Sequence, residues 1–315
     1  MKMRPIGNSG LEAGPLAFGG NVFGWTADEA TSFRLLDAFV DAGLNLIDTA
    51  DVYSRWAPGN QGGESETIIG RWLERTGKRN RVLIATKVGM EVGPGKSGLS
   101  AARMQAAVEE SLRRLKIDHI DLYQAHKDDP STPLEETLGA FGALIRQGKV
   151  RAIGASNYSG ARLTEALRIS KENQLPAYQC LQPHYNLAER SEFERDLEPV
   201  CRASGLGVIP YYSLASGFLT GKYRSEDDAA GKARSAGVKK YLNDRGFRIL
   251  SALDEVSARF SSTPARVAIA WLLTRSVVTA PIASATTIEQ FHELIAGTQL
   301  ELDQDAIDCL DTASA

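Results

Sequence analysis

Short apolar runs alternate with amphipathic segments along almost the whole chain, and this alternation limits the fold more than any other feature. Eight runs have the length and composition of strands that are buried on both faces. They lie at residues 15–18, 45–50, 82–88, 120–125, 152–156, 178–182, 207–211 and 279–282. Because helical patterns separate the runs, we predict an α/β fold, the (β/α)8 TIM barrel.

The helical patterns complete this alternation. They cover residues 27–42, 100–115, 133–147, 159–172, 190–204, 245–260 and 286–296. We also expect an extra helix before the eighth strand, at residues 264–274, and a short C-terminal helix at residues 303–311. No stretch has the composition of a domain linker, so we predict one barrel domain over residues 1–315. The irregular stretch 222–243 is long enough to be functional or mobile.

Composition excludes several classes of function. The formal net charge is −3 and no basic stripe occurs, so we expect no nucleic-acid partner. No run approaches the ~18 apolar residues of a membrane span, and the N-terminus does not look like a signal peptide. The cysteines Cys180, Cys201 and Cys309 lack metal or redox spacing. We therefore expect a cytoplasmic protein with reduced thiols and no metal, as a monomer or small homo-oligomer.

Three polar residues end consecutive apolar runs. Asp48, Lys87 and His126 occupy these positions, and Tyr53 follows Asp48 in the adjoining loop. The steps 87 − 48 and 126 − 87 are both 39 residues, about one βα unit each. In a parallel barrel such residues all reach the C-terminal face, where active sites lie. The spacing therefore predicts one pocket that contains a carboxylate, a phenol, an ammonium and an imidazole.

These four groups suit proton donation to a developing alkoxide. A phenol has an ordinary pKa near ~10, and we expect the Lys87 ammonium to lower that of Tyr53. Asp48 would pair with Lys87, and His126 would bind a carbonyl oxygen. No nucleophile–base pair is evident, so a hydride would have to come from a cofactor. Aromatic residues near the mouth, which favour ring-bearing or apolar substrates, are Phe23, Trp25 and Trp56.

At four places the chain resembles the aldo-keto reductase superfamily. Residues 48–53 read Asp-Thr-Ala-Asp-Val-Tyr, similar to the family's D-T-A-x-x-Y signature. Residues 63–70 match its G-x-S-E-x-x-x-G segment. Residues 85–87 and 121–126 resemble the strands that carry its lysine and histidine. The matches occur in order and at suitable spacing over nearly the whole length.

The resemblance implies that Asp48, Tyr53, Lys87 and His126 form a catalytic tetrad that reduces aldehydes or ketones with NAD(P)H. Tyr53 would be the proton donor, and both Tyr53 and His126 would contact substrate. The resemblance also implies a set of cofactor contacts, in which Ser156, Asn157 and Gln182 hold the carboxamide and Tyr211 stacks on the nicotinamide. The full set is Gly20, Asn21, Asp48, Ser156, Asn157, Gln182, Tyr211, Tyr212, Ser213, Leu214, Ser216, Gly217, Leu219, Lys222, Ser284, Thr286 and Gln290.

The choice between the two nicotinamide cofactors depends on the last loop. Many relatives grip the 2′-phosphate of NADP with a lysine and an arginine, and here Ser284 and Gln290 stand in those places. A bidentate guanidinium contact is therefore missing. Lys239, Lys240 or Arg234 in the long loop could supply charge. We expect NADP(H) as the favoured cofactor on grounds of resemblance, with NAD(H) or dual use as the alternative.

Two other functions stay open. Some members of the resembled family are redox-sensing subunits that bind the nucleotide, turn over slowly and associate with a partner protein. A Schiff-base aldolase is the second alternative, because Lys87 ends a barrel strand and an amine there could attack a carbonyl. Asp48 argues against it, since an ion-paired ammonium is a poor nucleophile.

Overall fold

A computed structural model of the protein describes residues 2–229 and 235–315. Eight parallel strands in it form one sheet, in the spatial order β10-β3-β4-β5-β6-β7-β8-β9. A separate antiparallel hairpin of two strands precedes them. The strands are β1 (Arg4–Pro5), β2 (Glu12–Ala13), β3 (Ala17–Gly19), β4 (Leu46–Asp48), β5 (Leu83–Val88), β6 (Ile120–Ala125), β7 (Val150–Ser156), β8 (Cys180–Gln182), β9 (Gly207–Val208) and β10 (Ile282–Ala283).

The two edges of this sheet meet. Val208 on β9 forms a parallel bridge with Val278, which lies shortly before β10. The backbone N–H of Val208 donates to the carbonyl of Val277 at 3.0 Å, and that of Thr279 donates to Val208 at 2.7 Å. The sheet therefore curls into the (β/α)8 barrel that the alternation predicted, and each predicted strand run overlaps one of β3–β10.

Helices connect consecutive strands. The α-helices are α1 (Glu29–Asp41), α2 (Glu64–Thr76), α3 (Ala101–Leu115), α4 (Leu134–Arg146), α5 (Gly160–Glu172), α6 (Glu198–Ser204), α7 (Glu226–Ala229), α8 (Ser235–Lys239), α9 (Asp244–Arg259), α10 (Pro264–Thr274), α11 (Ile288–Gln299) and α12 (Gln304–Ser314). The extra helix before the last strand is α10 and the C-terminal helix is α12, as predicted. Among the described residues no helix is both long and apolar enough to cross a membrane.

Sequence analysis missed helix α2 and the β1–β2 hairpin. The residue before α2 is Gly63, which has a left-handed backbone (φ 86°) and no capping side chain. The usual Ser, Thr, Asp or Asn signal for a helix start is therefore absent. The irregular stretch 222–243 contains the short helices α7 and α8, and Arg234 lies outside the described residues.

Small side chains fill the barrel interior. Ala17, Ala85, Ala152 and Ala280 lie there together with larger residues from the intervening strands. The β1–β2 hairpin adds three buried apolar side chains to this cluster, namely Ile6, Leu11 and Ala13. The Thr279 hydroxyl donates to the Pro5 carbonyl at 2.9 Å, so the hairpin lies against the start of the last strand and covers the amino-terminal end of the barrel. The opposite end is left for the strand-end polar residues.

Helices α2 and α3 approach most closely at Gly70. A Cβ atom built there would lie 2.1 Å from the Arg114 carbonyl oxygen, which is backbone and cannot move cheaply. This contact gives a physical reason for the last glycine of the G-x-S-E-x-x-x-G segment.

We expect Gly70→Ala to lower the free energy of unfolding by at least about 1–3 kcal/mol, the usual cost of an overpacked contact. Gly139→Ala in α4 is the matched control, because a Cβ there meets no atom within 4 Å. Removing that helical glycine should be neutral or stabilising by up to about 1 kcal/mol. Urea denaturation of both variants would measure the difference. Equal stability of the two variants would contradict the close approach.

Candidate active site

Lys87 is the centre of the polar cluster at the carboxyl end of the barrel. Its side chain is fully buried, and its Nζ atom donates to three acceptors. These are Asp48 Oδ2 at 2.7 Å, the Thr49 carbonyl at 2.8 Å and the Tyr53 hydroxyl at 2.8 Å. An ammonium has three N–H donors, so each proton has one acceptor. Burial lowers the pKa of Lys87, while Asp48 favours its charged form.

Asp48 connects this ammonium to the opposite side of the barrel. Its Oδ1 atom accepts from Gln182 Nε2 at 2.9 Å and, more weakly, from Gln124 Nε2 at 3.4 Å. Gln182 also donates to Gln124 Oε1 at 3.2 Å. The three buried side chains come from β4, β6 and β8, so the network spans alternate strands. Sequence analysis did not identify Gln124, although its spacing of two from His126 is the strand period.

The Tyr53 phenol is held beside Lys87. The Lys87 Nζ atom lies 4.5 Å from the centre of the Tyr53 ring, and Asp48 Oδ2 lies 3.4 Å from its hydroxyl. We expected the ammonium to lower the pKa of Tyr53, and this expectation is wrong for this structure. Burial and the Asp48 carboxylate instead raise that pKa well above its ordinary value. The phenol is therefore protonated at neutral pH and can act as an acid.

His126 completes the group. Its ring lies 5.9 Å from the Tyr53 ring, measured between centroids, and the residue is 8% exposed. Burial, and then the positive charge of Lys87, hold the pKa of His126 well below its usual range. The imidazole is therefore neutral, and its Nδ1 atom has no hydrogen-bond partner among the described residues. A neutral imidazole keeps one N–H group, which can donate a hydrogen bond to a ligand oxygen.

Trp25 and Trp56 form an aromatic wall beside Tyr53. Trp56 is 48% exposed and packs edge-on against Tyr53 at 5.9 Å and against Trp25 at 5.8 Å, between ring centroids. The structure therefore brings both tryptophans to the tetrad. Phe23 is different, because its side chain is fully buried and stacks on Phe18 at 5.3 Å. It belongs to the core, and the expectation that it contacts substrate is not supported by its position.

The side chains assigned to the carboxamide lie next to each other. Asn157 donates to the His126 carbonyl at 2.8 Å and to Ser156 Oγ at 3.1 Å. Its Oδ1 atom accepts from the Tyr211 hydroxyl at 2.7 Å. Asn157 has a left-handed φ of 55°, which is strained for a residue with a side chain and is typical of functional sites. These contacts place the proposed amide-binding residues beside the tetrad.

The chain after β9 forms a tight turn. Ala215, Ser216 and Gly217 have φ angles of 48°, 58° and 95°. Ser213 is buried and donates to the Ile282 carbonyl at 2.7 Å, which ties this turn to β10. Leu219 is also fully buried, so only its backbone would be available to a ligand.

The other positions assigned to the cofactor in this turn are more accessible. Leu214, Ser216 and Gly217 are partly buried, while Lys222 is exposed and Tyr212 is 53% exposed. The Lys222 ammonium lies 5.1 Å from the ring centre of the adjacent Tyr223.

The loop after β10 carries no positive side chain at Ser284 or Gln290, the two positions that bear on the choice of cofactor. Ser284 Oγ lies 2.7 Å from both the Gly19 carbonyl and Asn21 Oδ1, and its one hydroxyl proton can be donated to either of these acceptors. Gln290 Oε1 accepts from the Thr286 backbone N–H at 2.9 Å. The turn is close to β3, since a Cβ on Gly19 would lie 2.5 Å from Ser284 Oγ. Gly19 is therefore required for the close packing of this loop against β3.

A second buried charge cluster lies behind the tetrad, and sequence analysis did not identify it. Asp51 pairs with Arg103 at 3.4 Å, and Glu66 pairs with Arg114 at 2.7 Å. Glu66 also accepts from the Thr86 hydroxyl at 2.6 Å. The signal that could have revealed it is the pair of acids inside the D-T-A-x-x-Y and G-x-S-E segments. Within residues 2–229 and 235–315, no group of three or more His, Cys, Asp or Glu could hold a metal.

Comparison with known proteins agrees with this geometry. Residues 15–315 match the model of the Aldo/keto reductase family. A protein of Bacillus subtilis strain 168 named "Uncharacterized oxidoreductase YrpG" is 34% identical over 98% of this chain and 94% of its own. "Protein tas" of Escherichia coli K12 is 30% identical over 98% and 96%. A "Probable voltage-gated potassium channel subunit beta" of Oryza sativa subsp. japonica is 32% identical over 93% and 90%.

A closed parallel barrel with an acid, a phenol, an ammonium and an imidazole at its carboxyl end defines the class of protein. The chain belongs to the Aldo/keto reductase family. Membership supports an oxidoreductase that uses NAD(P)H and acts on small carbonyl compounds.

Asp51 should make the stability of the protein depend on pH. Burial, and then the Glu66 charge, raise its pKa from the ordinary 3.8 to about 8. Between these values the folded protein keeps a proton that the unfolded chain has released, so stability falls as pH rises. Asp51→Asn should remove this pH dependence. The change in the free energy of unfolding between pH 5 and pH 8 should then be smaller than in the wild-type protein by at least about 1 kcal/mol. Urea denaturation at both pH values is the measurement.

Asp129→Asn is the control for this experiment. Hydrogen bonds from Ser131, Thr132 and backbone N–H groups lower the pKa of Asp129 to about 2. The Asp129 carboxyl is ionised in both the folded and the unfolded protein from pH 5 to pH 8. Asp129→Asn should therefore change the free energy of unfolding by the same amount at both pH values. An unchanged slope in Asp51→Asn would show that Asp51 is ionised in the folded protein.

Proposed function

We propose that this protein reduces aldehydes or ketones to alcohols with NAD(P)H, reversibly, with Tyr53 as the proton donor. The observation that carries the proposal is the hydrogen bond from Lys87 Nζ to the Tyr53 hydroxyl at 2.8 Å. This bond occupies a lone pair of the phenol oxygen and leaves the phenol proton to be donated elsewhere. Among the described residues, the only protein acceptor for that proton is Asp48 Oδ2, at a long distance of 3.4 Å.

The residues present fit a nicotinamide cofactor. Ser156, Asn157 and Gln182 offer amide and hydroxyl groups of the kind that bind a carboxamide. Tyr211 offers an aromatic ring whose hydroxyl is held by Asn157. When bound, the nicotinamide would supply or accept the hydride.

The four residues divide the remaining chemistry. The neutral His126 ring would donate a hydrogen bond from its N–H group to the substrate carbonyl oxygen and orient it. Tyr53 would donate its proton to that oxygen as negative charge develops there. The Lys87 ammonium would then stabilise the phenolate left behind, because it already lies at hydrogen-bond distance. Asp48 keeps the ammonium in place, and the same steps in reverse would oxidise an alcohol.

The aromatic wall supports ring-bearing or apolar substrates. Trp56 and Trp25 stand directly beside Tyr53, and Trp56 leaves about half of its surface exposed. Exposed aromatic surface beside a catalytic acid favours contact with an apolar substituent on the carbonyl. Trp56 remains the residue that we expect to contact substrate most directly.

The Schiff-base alternative is disfavoured by the geometry of Lys87. A nucleophilic amine must be neutral and must reach the substrate. Lys87 is fully buried, and all three of its N–H groups are used within the protein. Breaking these bonds would leave the Asp48 carboxylate buried without its ion-pair partner.

A regulatory role is the second candidate function. The similarity to proteins named as potassium channel beta subunits covers more than nine-tenths of this chain. Tight binding of NADPH or NADH, combined with negligible turnover of a panel of aldehydes and ketones, would favour this role over the reductase.

Tyr53→Phe tests the proton donor. We expect kcat for a generic aldehyde such as 4-nitrobenzaldehyde to fall by roughly 100-fold or more, the usual contribution of general acid catalysis. The affinity for NADPH or NADH should change little, because the phenol ring remains. Steady-state kinetics and cofactor titration by tryptophan fluorescence would measure both quantities.

Tyr123→Phe is a matched control, since its buried hydroxyl has no partner among the described residues. It should keep near wild-type kcat. Undiminished turnover in Tyr53→Phe would exclude Tyr53 as the acid, and failure of the wild-type protein to bind either nucleotide would exclude the reductase proposal.

Cofactor choice gives a further prediction. We propose a weak preference for NADP(H), or dual use, because Ser284 and Gln290 are neutral and already bonded within the protein. The ratio of kcat/KM for NADPH over NADH should stay below ~1000, since about 4 kcal/mol of discrimination requires a charged clamp. Gln290→Arg should raise this ratio by about tenfold to a hundredfold, the effect of one or two hydrogen bonds to a phosphate. Gln290→Met is the control that removes the amide without adding charge. A wild-type ratio above ~1000, or no rise in Gln290→Arg, would contradict this account of the loop.

A further inference from the structure

Three rings cluster where β8 and β9 end, apart from the tetrad. His184 is stacked on Tyr211, with 5.3 Å between ring centroids and 11° between planes. Tyr212 packs edge-on against both rings, at 5.4 Å from His184 and 5.2 Å from Tyr211. The imidazole and the phenol are therefore parallel and laterally displaced, so His184 lies against one side of the Tyr211 ring.

The backbone fixes this arrangement. His184 and Tyr211 form a parallel bridge, and the Tyr211 N–H donates to the Pro183 carbonyl at 2.9 Å. The side chains therefore leave neighbouring strand ends in the same direction. Tyr212 has a left-handed φ of 55°, and its carbonyl accepts from Asn186 Nδ2 at 3.0 Å. The turn that carries Tyr211 and Tyr212 is thus held by the backbone hydrogen bond to Pro183 and by the side-chain hydrogen bond from Asn186.

One hydrogen bond also constrains the orientation of the Tyr211 side chain. Its hydroxyl donates to Asn157 at 2.7 Å, which fixes the tip of the ring. Rotation of the ring about its long axis keeps that bond, so the tip alone does not decide which way the faces point. The His184 ring provides the missing constraint, because rotating the Tyr211 ring would lose its parallel contact with the imidazole.

The imidazole in this stack is neutral at neutral pH. Burial lowers the pKa of His184, and Lys240 acts in the same direction, while Glu189 and Glu192 oppose them. The Nε2 atom is buried and has no hydrogen-bond partner among the described residues. Within that part of the chain, His184 is therefore held by its ring contacts rather than by bonds from its nitrogen.

We propose that His184 is a positioning residue that supports one face of Tyr211 and so presents the other face to the nicotinamide ring. The inference rests on the proposed function, since it assumes that a nicotinamide binds beside Tyr211. It assigns to His184 a role in cofactor affinity that depends on ring shape and requires no hydrogen bond.

The test compares His184→Ala with His184→Phe in the full-length protein. The alanine variant removes the stack, and the phenylalanine variant keeps an aromatic ring without the nitrogens. Dissociation constants for NADH and NADPH would be measured by quenching of tryptophan fluorescence and by calorimetry. ADP-ribose and its 2′-phosphate would be titrated in parallel, because they lack the nicotinamide.

We expect His184→Ala to weaken NADH and NADPH by roughly 2- to 12-fold, the effect of one aromatic pair. His184→Phe should restore affinity, and neither variant should change the affinity for the ADP-ribose compounds. Equal weakening of ADP-ribose would indicate a general structural role and overturn the proposal. An alanine variant with wild-type affinity would also overturn it, as would a phenylalanine variant as weak as alanine. Failure of the wild-type protein to bind NADH or NADPH would instead reject the proposed function itself.

Discussion

The buried ammonium of Lys87 is the interaction on which the polar end of the barrel depends. A lysine without solvent contact requires an anion and further acceptors, since an uncompensated buried charge costs several kcal/mol. Asp48 supplies the anion, and the Thr49 carbonyl and the Tyr53 hydroxyl accept the remaining protons. Satisfying the charge therefore determines where the phenol lies. Structure and chemistry have the same cause here, because the bond that stabilises the lysine also prepares the tyrosine to act as an acid.

Closure of the barrel makes this arrangement possible. Small and large side chains together fill its interior below the tetrad, including Ala17, Leu46 and Leu122, and the N-terminal hairpin closes the lower end. Residues from opposite strands can therefore meet at the upper end. The bond between Gln182 and Asp48, which are 134 residues apart, depends on that closure. The amide network is thus a consequence of the closed sheet.

Sequence patterns predicted the parts of the site that depend on strand position. A polar residue that ends a buried parallel strand must lie at the carboxyl end of the barrel. Asp48, Lys87 and His126 could therefore be identified as site residues from the sequence. Features set by packing were not identifiable. Phe23 follows a strand end, but the 3-10 turn at Gly20–Val22 directs it into the core. Burial and the Asp48 carboxylate raise the pKa of Tyr53, and burial cannot be inferred from sequence spacing.

Backbone strain is concentrated around the same pocket. Among the described residues, eight non-glycine residues have left-handed φ angles, and five of them lie in loops at the carboxyl end of the barrel: Ser54, Asn157, Tyr212, Ala215 and Ser216. Each such residue costs of order 1–3 kcal/mol and persists only where its surroundings fix it. Asn157 makes three side-chain bonds, and the Ser54 hydroxyl bonds the Phe23 carbonyl. The strain is therefore matched by local hydrogen bonds. Since the rigid strands end just below these residues, the loops can hold polar and aromatic side chains in orientations that an unstrained turn would not provide.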